Sequence, residues 1–289
     1  MKWILKFLNL YRNLKIFGFT FGLFFFLPII VHASGAIEIH FIDVGHGEAT
    51  LIKTTGKKNI LIDTGSLANG YKLKNYLKNQ AIQRLSALII THMHFDHVGG
   101  LFSLLPDISV DKIYDNGIPI SGNDFWEEYL QLIHNVNLSR ATVKYGDKFV
   151  YNGLILQVLS PSEPLFGDLN SDSVALRLKY DKISFFLAGD LSARAEKRLI
   201  GKKINLGSQI LKVGHHGACD ATSEDFLSRV SPEIAIISAG QKNRFGYPCS
   251  ETTSRIERGG ISLLRTDING TVVIKTDGQK YKLTFNGLQ

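Results

Sequence analysis

The chain has 289 residues, of which 44% are hydrophobic and 20% charged, as in an ordinary globular protein with one large domain or two small ones. Its formal net charge is +7, but residues 1–33 contribute four basic residues and no acid, and the excess that remains is too small to indicate a polyanionic partner by charge alone. The two cysteines, Cys219 and Cys249, exclude a disulfide-dense scaffold and a cysteine-rich zinc site.

The N-terminus has the pattern of an export signal. A basic stretch ending at Lys15 precedes an uncharged run over residues 16–31, and Val31-His32-Ala33 supplies the small residues of a cleavage site before Ser34. We therefore expect residues 1–33 to be a signal peptide, with an uncleaved N-terminal membrane anchor as the alternative. In both cases the remaining chain would act outside the cytoplasm, as a secreted, periplasmic or membrane-anchored protein.

Residues 36–289 are predicted to form one domain, since no repeat, low-complexity tract or Pro/Gly-rich linker divides them. The pattern of strand blocks interleaved with helices fits two sheets between helical layers. Asp111, Asp115 and Asp124 lack the spacing of a metal site and are expected to be solvated. Apolar alternation and short apolar runs predict strands at 37–41, 49–52, 60–62, 87–90, 154–159, 183–187, 210–213 and 234–238, amphipathic spacing predicts helices at 71–79, 125–133, 193–200 and 250–257, and residues 271–285 are predicted to form a hairpin.

The segment 88–100, LIITHMHFDHVGG, joins a predicted buried strand to a dense group of metal-ligand side chains. In an extended chain alternate residues point the same way, so His92 and His94 can converge on one ion. Asp96 and His97 follow where the chain turns toward a helix, and they can face a second ion. The following Gly-Gly pair is expected to permit a tight bend. Neutral imidazoles with a carboxylate suit Zn²⁺, with Mn²⁺ or Fe²⁺ as alternatives.

The segment His-Met-His-Phe-Asp-His at 92–97 resembles the His-x-His-x-Asp-His signature of the metallo-β-lactamase superfamily. Other segments narrow the resemblance to the C-terminal hydrolase domain of ComEC-type competence proteins. The resemblance covers about residues 37–275, and it implies a four-layer αββα sandwich in which two mixed β-sheets are flanked by helices. The supporting segments, in the order found in those proteins, are IDVGHGEA (42–49), LIDTG (61–65), LAGD (187–190), VGHHG (213–217) and NRFGYP (243–248).

By the same resemblance, two divalent metal ions are expected between the signature residues and two later segments. Asp190 follows a predicted strand and is expected to bridge the ions. One of His215 and His216 should complete the second site, while the other could protonate a leaving group or contact the substrate, and the sequence does not choose between them. The expected ligands are His92, His94, Asp96, His97, Asp190, His215 and His216, with catalytic roles assigned to Asp96 and His216.

Residues around these ligands are expected to support them or to hold the substrate. Asp63, and with it Asp43, is expected to orient a ligand histidine from behind, with a local turn-forming role as the alternative for Asp63. Asn170 and Ser173 are candidates for binding the substrate or a water, or else for capping a strand. His46 either approaches the metal pocket or is an ordinary loop residue.

The chain also departs from the family pattern. His46 and Glu48 replace the Gln and Asp of the family's Asp-Val-Gly-Gln-Gly-Asp-Ala, and residues 243–249 lack the two histidines of its Gly-His-Pro-His. These positions belong to the expected pocket and its rim. Substrate or leaving-group chemistry would therefore differ from that of the competence nucleases at this rim.

A water bridging two such ions would be the natural nucleophile, because metal binding lowers its pKa toward ~7. The leading hypothesis is an exported phosphodiesterase, most simply a nuclease acting on DNA or RNA. The alternatives are a hydrolase of a cell-surface or small-molecule ester or lactam, such as a phosphocholine ester, and a binding module with a vestigial site. Fold alone does not fix the substrate.

The two cysteines are predicted to form a disulfide. Each follows closely on a segment that lines the mouth of the active site in the family, HHG at 215–217 and YP at 247–248. An exported chain meets an oxidising environment in which such a bridge persists. Two unpaired, buried cysteines are the alternative.

Overall fold

The computed structural model describes residues 35–120, 122 and 124–286. The predicted signal peptide or anchor, residues 1–33, lies outside these residues. Within the described part of the chain, no helix combines the length and apolar character required to cross a membrane.

The described residues contain seventeen strands, eight α-helices and two short 3-10 helices, at Leu67–Asn69 and Gly214–Gly217. Most predicted elements are present within a residue or two of their expected bounds. The strands are β1 (Ile37–Phe41), β2 (Thr50–Lys53), β3 (Asn59–Ile62), β4 (Arg84–Leu85), β5 (Ala87–Ile89), β6 (Ser109–Val110), β7 (Ile113–Asp115), β8 (Arg140–Thr142), β9 (Lys148–Tyr151), β10 (Leu154–Ser160), β11 (Ala175–Tyr180), β12 (Ile183–Leu187), β13 (Ile210–Lys212), β14 (Ile234–Ile237), β15 (Ser262–Arg265), β16 (Thr271–Thr276) and β17 (Tyr281–Asn286). The helices are α1 (Gly70–Asn79), α2 (Phe95–Val98), α3 (Leu101–Leu104), α4 (Phe125–Asn135), α5 (Ala193–Gly201), α6 (Glu224–Val230), α7 (Ser250–Arg258) and α8 (Thr266–Asn269).

Two large sheets organise the fold, and both are mixed. The eight-stranded sheet has the order β17-β16-β1-β2-β3-β5-β7-β8, antiparallel from β17 to β3 and parallel from β3 to β8. The seven-stranded sheet has the order β15-β14-β13-β12-β11-β10-β9, parallel from β15 to β12 and antiparallel beyond. A small parallel pair, β4 and β6, lies apart from them.

Three apolar clusters define four layers. One cluster lies between the inner faces of the two sheets and includes Ile39 and Phe185. A second joins the eight-stranded sheet to α1, α3 and α4, and Leu73 and Leu77, four residues apart on α1, are both fully buried in it. A third joins the seven-stranded sheet to α5, α6 and α7. The predicted αββα sandwich is confirmed.

The direction of the parallel strands places the polar motifs at the same end of the sheets. The parallel strand β12, ISFFL, is buried along its whole length, as expected of a strand covered on both faces. Residues directly beyond the carboxyl ends of parallel strands share one edge of a sheet, which is where open α/β sheets place their ligands. Asp63 follows β3, His92 follows β5, Asp190 follows β12 and the His215-His216 pair follows β13.

The expectation that Asp115 is solvated is wrong. Asp115 ends β7 and is fully buried, and its carboxylate accepts hydrogen bonds from Arg140 Nε (2.6 Å) and Nη2 (2.7 Å) and from the Tyr129 hydroxyl (2.6 Å). The pairing of β7 with β8 brings Arg140 beside it. This carboxylate holds β8 and α4 together and has no part in the candidate site.

Candidate metal centre

Of the signature residues, His92 and His94 lie in the segment that joins β5 to α2, and Asp96 and His97 lie in α2 itself. His92 and His97 are fully buried, whereas His94 is half-buried. His94 has extended backbone angles and precedes the first residue of α2, so the chain changes direction between the second histidine and Asp96. The predicted tight bend at Gly99 and Gly100 is absent, because both have ordinary helical angles. Close packing explains Gly100 instead, since a Cβ there would collide with the carbonyl oxygen of Thr64.

Two groups of ligand-type side chains form at this edge of the sheets. In the first, Asp190 Oδ2 lies 3.2 Å from His97 Nε2 and 3.7 Å from His92 Nε2. His94 adjoins this group, with its Nδ1 2.9 Å from His92 Nε2.

The second group contains Asp96, His216 and His46. Asp96 Oδ2 lies 3.2 Å from His216 Nε2 and 3.2 Å from His46 Nε2. The two groups touch, because His97 Nε2 and His216 Nε2 are 3.2 Å apart and Asp190 Oδ2 is 3.7 Å from His216 Nε2. Asp190 therefore lies between imidazoles from both groups.

These residues fit a metal site by their chemistry. The second carboxylate oxygen of Asp190, Oδ1, is buried and has no hydrogen-bond partner among the described residues. Such an atom is costly unless something positive binds it. Imidazole nitrogens that face one another around a carboxylate are the donor set of Zn²⁺, Mn²⁺ or Fe²⁺.

The pKa shifts of these residues also favour a bound cation. Burial and the neighbouring His97 lower the pKa of His92 and of His94, which favours the neutral, metal-binding imidazole. Burial alone would raise the pKa of Asp190, but the imidazoles of His97 and His216 lower it well below its ordinary value. Burial would lower the pKa of His97 and of His216, but the neighbouring Asp190 raises both. The cluster therefore favours positive charge around this carboxylate, which a divalent cation would supply.

Asp63 lies behind the first group, as expected of a residue that orients a ligand. Its Oδ2 is 2.7 Å from His97 Nδ1, and both residues are fully buried. Thr91 fixes the carboxylate in turn, since its backbone N–H donates to Oδ1 (2.7 Å) and its hydroxyl to Oδ2 (2.8 Å). The ring of His97 is therefore held with Nε2 toward Asp190.

The two histidines after β13 point in different directions. Both have positive φ, 48° for His215 and 52° for His216, a conformation uncommon for residues other than glycine and often found at functional sites. His216 is buried against Asp96 and Asp190, and its Nδ1 donates to the carbonyl of Ser238 (3.0 Å). His215 instead lines the cavity and contacts no member of the two groups through a hydrogen bond.

The remaining predicted residues take different places. Asn170 Nδ2 lies 3.2 Å from His215 Nε2, beside the cavity. Ser173, expected to face the substrate, is fully buried instead, with its hydroxyl 3.4 Å from His92 Nδ1 and accepting from the backbone N–H of Asp190 (3.3 Å). Asp43, expected to support a ligand, accepts a local bond from Gly45 N–H (2.9 Å) and shapes the loop that carries His46.

Sequence reasoning missed a buried ion pair beneath this site. Lys212 Nζ lies 2.7 Å from Glu48 Oε2, and both side chains are at most 1% exposed. Lys212 also donates to the carbonyl of Val213 (2.9 Å), and one carboxylate oxygen of Glu48 lies within 4.8 Å of ligand atoms of Asp63 and His97. The signal was a lysine inside the apolar run Ile210–Val213, since a lysine is almost never fully buried without a partner.

A cavity of about 580 Å³ opens above the two groups. Its floor is formed by side chains of both groups, and the segment 243–247 forms part of its wall. The predicted disulfide is present at the base of that segment, where Cys219 and Cys249 are bonded with their Cα atoms 5.3 Å apart. The described lining residues are His46, Ser66, Asn69, His94, Phe95, Asp96, Asp190, His215, His216, Asn243, Arg244, Phe245 and Tyr247.

The fold and the site together define a class of metal-binding αββα proteins. In this class two mixed sheets lie between helical layers, and histidines and aspartates lie together beyond the strand ends. The chain belongs to the metallo-β-lactamase superfamily, whose family model matches residues 42–241. The family and the His/Asp groups together imply divalent metal ions.

Relatives confirm the resemblance to ComEC-type competence proteins. ComE operon protein 3 from Bacillus subtilis is 32% identical over 88% of this chain and 35% of its own length, and competence protein ComA from Neisseria gonorrhoeae is 32% identical over 80% of this chain and 31% of its own length. The chain thus spans about a third of the length of these relatives. Among solved structures, the metallo-β-lactamase fold protein YhfI from Bacillus subtilis has a TM-score of 0.56 at 12% identity, covering 84% of this chain and 100% of that one, a likeness of fold alone.

Proposed function

We propose that the protein is a metal-dependent phosphodiesterase, and specifically a nuclease that cleaves DNA or RNA outside the cytoplasm. The observation that carries the proposal is Asp190, whose buried carboxylate faces imidazoles from two chain segments and leaves one oxygen without a partner. The resemblance to ComEC-type competence proteins favours a nucleic acid as the substrate.

The proposed ligands divide between two ions, either Zn²⁺ or Mn²⁺. His92, His94 and Asp190 would hold one ion, and Asp96, His97, His216 and Asp190 the other. When bound, such ions lower the pKa of a water toward ~7 and neutralise charge that develops on the phosphate oxygens. The role of the protein is to fix the ligands and to position the substrate.

The chain's own residues then divide the remaining work. Asp63 accepts the Nδ1 proton of His97 and the Ser238 carbonyl accepts that of His216, which leaves both Nε2 atoms free to bind. His215, on the cavity wall with Asn170 near its Nε2 and Asp220 Oδ1 3.5 Å from its Nδ1, is placed to contact the substrate or to protonate its leaving oxygen. His46, in the loop between β1 and β2, also lines this cavity.

The test combines metal content with a substrate panel. Asp190→Asn should lower the bound Zn²⁺ or Mn²⁺, measured by mass spectrometry of the purified protein, and abolish cleavage of a generic phosphodiester and of an oligonucleotide. Asp111→Asn is the matched control, because Asp111 is exposed and pairs with Arg84 beside the amino-terminal end of β5, away from the site. Full metal content with cleavage of a β-lactam or of a choline-bearing phosphodiester, but not of the oligonucleotide, would overturn the assignment of a nucleic-acid substrate. Loss of neither metal nor activity in Asp190→Asn would overturn the metal mechanism.

We also propose export, on the basis of the basic and apolar pattern of residues 1–33. N-terminal sequencing of protein isolated from its native host should give a chain that begins near Ser34. An intact Met1 in a cytoplasmic pool would contradict export, and an intact Met1 in a membrane fraction would favour the anchor.

A further inference from the structure

The wall of the cavity formed by residues 240–249, here called the rim loop, presents stacked aromatic rings. Phe245 is 49% exposed, and its ring stacks on His46 at 4.8 Å with an interplanar angle of 28°. Tyr247 is nearly parallel to Phe245 (13°, with centroids 5.8 Å apart). The rings of Tyr247 and His215 also meet in a T-shaped contact, with centroids 5.3 Å apart. The rings therefore form a continuous series from the loop tip to the candidate site.

The rim loop is held in place before any ligand arrives. The Asn243 side chain forms hydrogen bonds with the loop backbone before and after it. Its Nδ2 donates to the carbonyls of Gly240 and Tyr247, and its Oδ1 accepts from the N–H groups of Phe245 and Tyr247. The Cys219–Cys249 disulfide and the bond from Cys249 N–H to the carbonyl of Gly217 (2.9 Å) fasten its end. A preorganised surface loses little entropy when it binds.

The charge of the rim loop favours an anion. Lys242 and Arg244 are exposed on the loop, and the Arg244 guanidinium carbon lies 4.8 Å from the centroid of the Phe245 ring. Among the described residues that line the cavity, the carboxylates are Asp96 and Asp190, both on its floor. A third aromatic ring, Phe95, is also 49% exposed in the cavity and is backed by Phe125 at 4.3 Å.

Planar rings beside cations are the elements with which proteins bind unpaired nucleobases. A base stacks on an aromatic face whatever its identity, while arginine and lysine follow the phosphate backbone. In a duplex the faces of the bases are covered by their neighbours, so a stacking surface of this kind selects a single strand.

We propose that Phe245, supported by Tyr247 and Arg244, is a stacking subsite for an unpaired nucleobase next to the scissile phosphodiester. The inference rests on the proposed phosphodiesterase function and names the feature of the substrate that the rim selects, a base on a single strand.

The experiment compares cleavage of a short single-stranded oligothymidylate with cleavage of an abasic strand of the same length by the metal-loaded protein. The wild type should prefer the base-bearing strand through a lower KM. Phe245→Ala should reduce that preference about 5- to 150-fold, the range that corresponds to loss of one base-stacking ring, and Phe245→Trp should restore it. Phe285→Ala is the matched control, because Phe285 is 48% exposed on the edge strand β17 and should leave the preference unchanged.

Equilibrium binding of the same two strands in the presence of a chelator, where no cleavage occurs, separates this proposal from the one on which it rests. Binding of the base-bearing strand that depends on Phe245, without cleavage of any phosphodiester by the loaded wild type, would uphold the subsite and refute the nuclease. Cleavage with an unchanged preference in Phe245→Ala would refute the subsite alone. An equal loss on both strands would also refute it, because Phe245 would then support the rim and not the base.

Discussion

The Lys212–Glu48 pair permits a test of how the site is supported, through Lys212→Met. Methionine keeps the apolar character and most of the length of the lysine side chain but removes the charge. It would leave the Glu48 carboxylate without its partner at 2.7 Å, in a fully buried place near Asp63. Removal of one member of a buried ion pair costs about 3–5 kcal/mol, a large share of the roughly 5–15 kcal/mol that stabilises a domain.

The assay is urea unfolding of the chelator-treated protein, followed by the fluorescence of Trp126 on α4. Chelation matters because bound metal would add its own stabilisation. A loss of about 4 kcal/mol would lower the urea midpoint by about 1–2 M. The double variant Lys212→Met/Glu48→Gln should regain at least half of the lost stability, since it leaves no unpaired charge. Equal losses in the single and double variants would refute the reasoning, because the loss would then not come from an uncompensated buried charge.

Three further outcomes follow from the structure. Asp63→Asn should weaken metal binding about 10- to 100-fold, measured by competition with a chelating dye, because it replaces the charged acceptor of His97 Nδ1 by a neutral amide with a single acceptor oxygen. Unchanged affinity would count against that role. Replacing both Cys219 and Cys249 by Ser should cost about 3 kcal/mol of unfolding free energy, and the unreduced native protein should contain no free thiol on titration after denaturation. Burial alone would raise the pKa of Glu38, but Lys275 and Lys53 lower it from 4.5 to about 2. The ionised Glu38 therefore stabilises the fold at neutral pH, and this contribution is lost as the pH falls from 4.5 toward 2. Glu38→Gln should flatten this part of the curve of unfolding free energy against pH, and an unchanged curve would show that the pair is fully screened.

The sequence predicted elements that carry a strong local pattern. β12 and α7 begin at the expected residues, because a continuous apolar run and an amphipathic repeat are local signals. It did not predict β8 or β9, short strands whose side chains are half-buried or exposed. Their pairing depends on the neighbouring strands β7 and β10, which no local pattern encodes.

The candidate site was predictable where one segment carries several ligands and uncertain where segments converge. The residues at 92–97 indicated a metal site by their density alone. The choice between His215 and His216 depends on two consecutive left-handed residues, which turn His216 inward and His215 toward Asn170. Backbone angles of this kind are imposed by the surrounding packing, so the sequence could not have decided it.

The departures from the family pattern lie far apart in sequence, yet all of them lie around the candidate site. Some are at the rim of the cavity, and one is below the metal-binding residues. At the rim, the imidazole introduced at position 46 stacks directly on the ring of Phe245, in the segment where the family's histidines are missing. Below the ligands, Glu48 keeps the charge of the family's aspartate and reaches Lys212. Replacement at the floor therefore conserves charge, whereas the rim loop lacks the family's two histidines and carries aromatic and cationic groups instead. A protein altered in this way would keep its metal chemistry and change what it admits to the cavity, and for that reason substrate selection should be sought in the rim loop before the metal ligands.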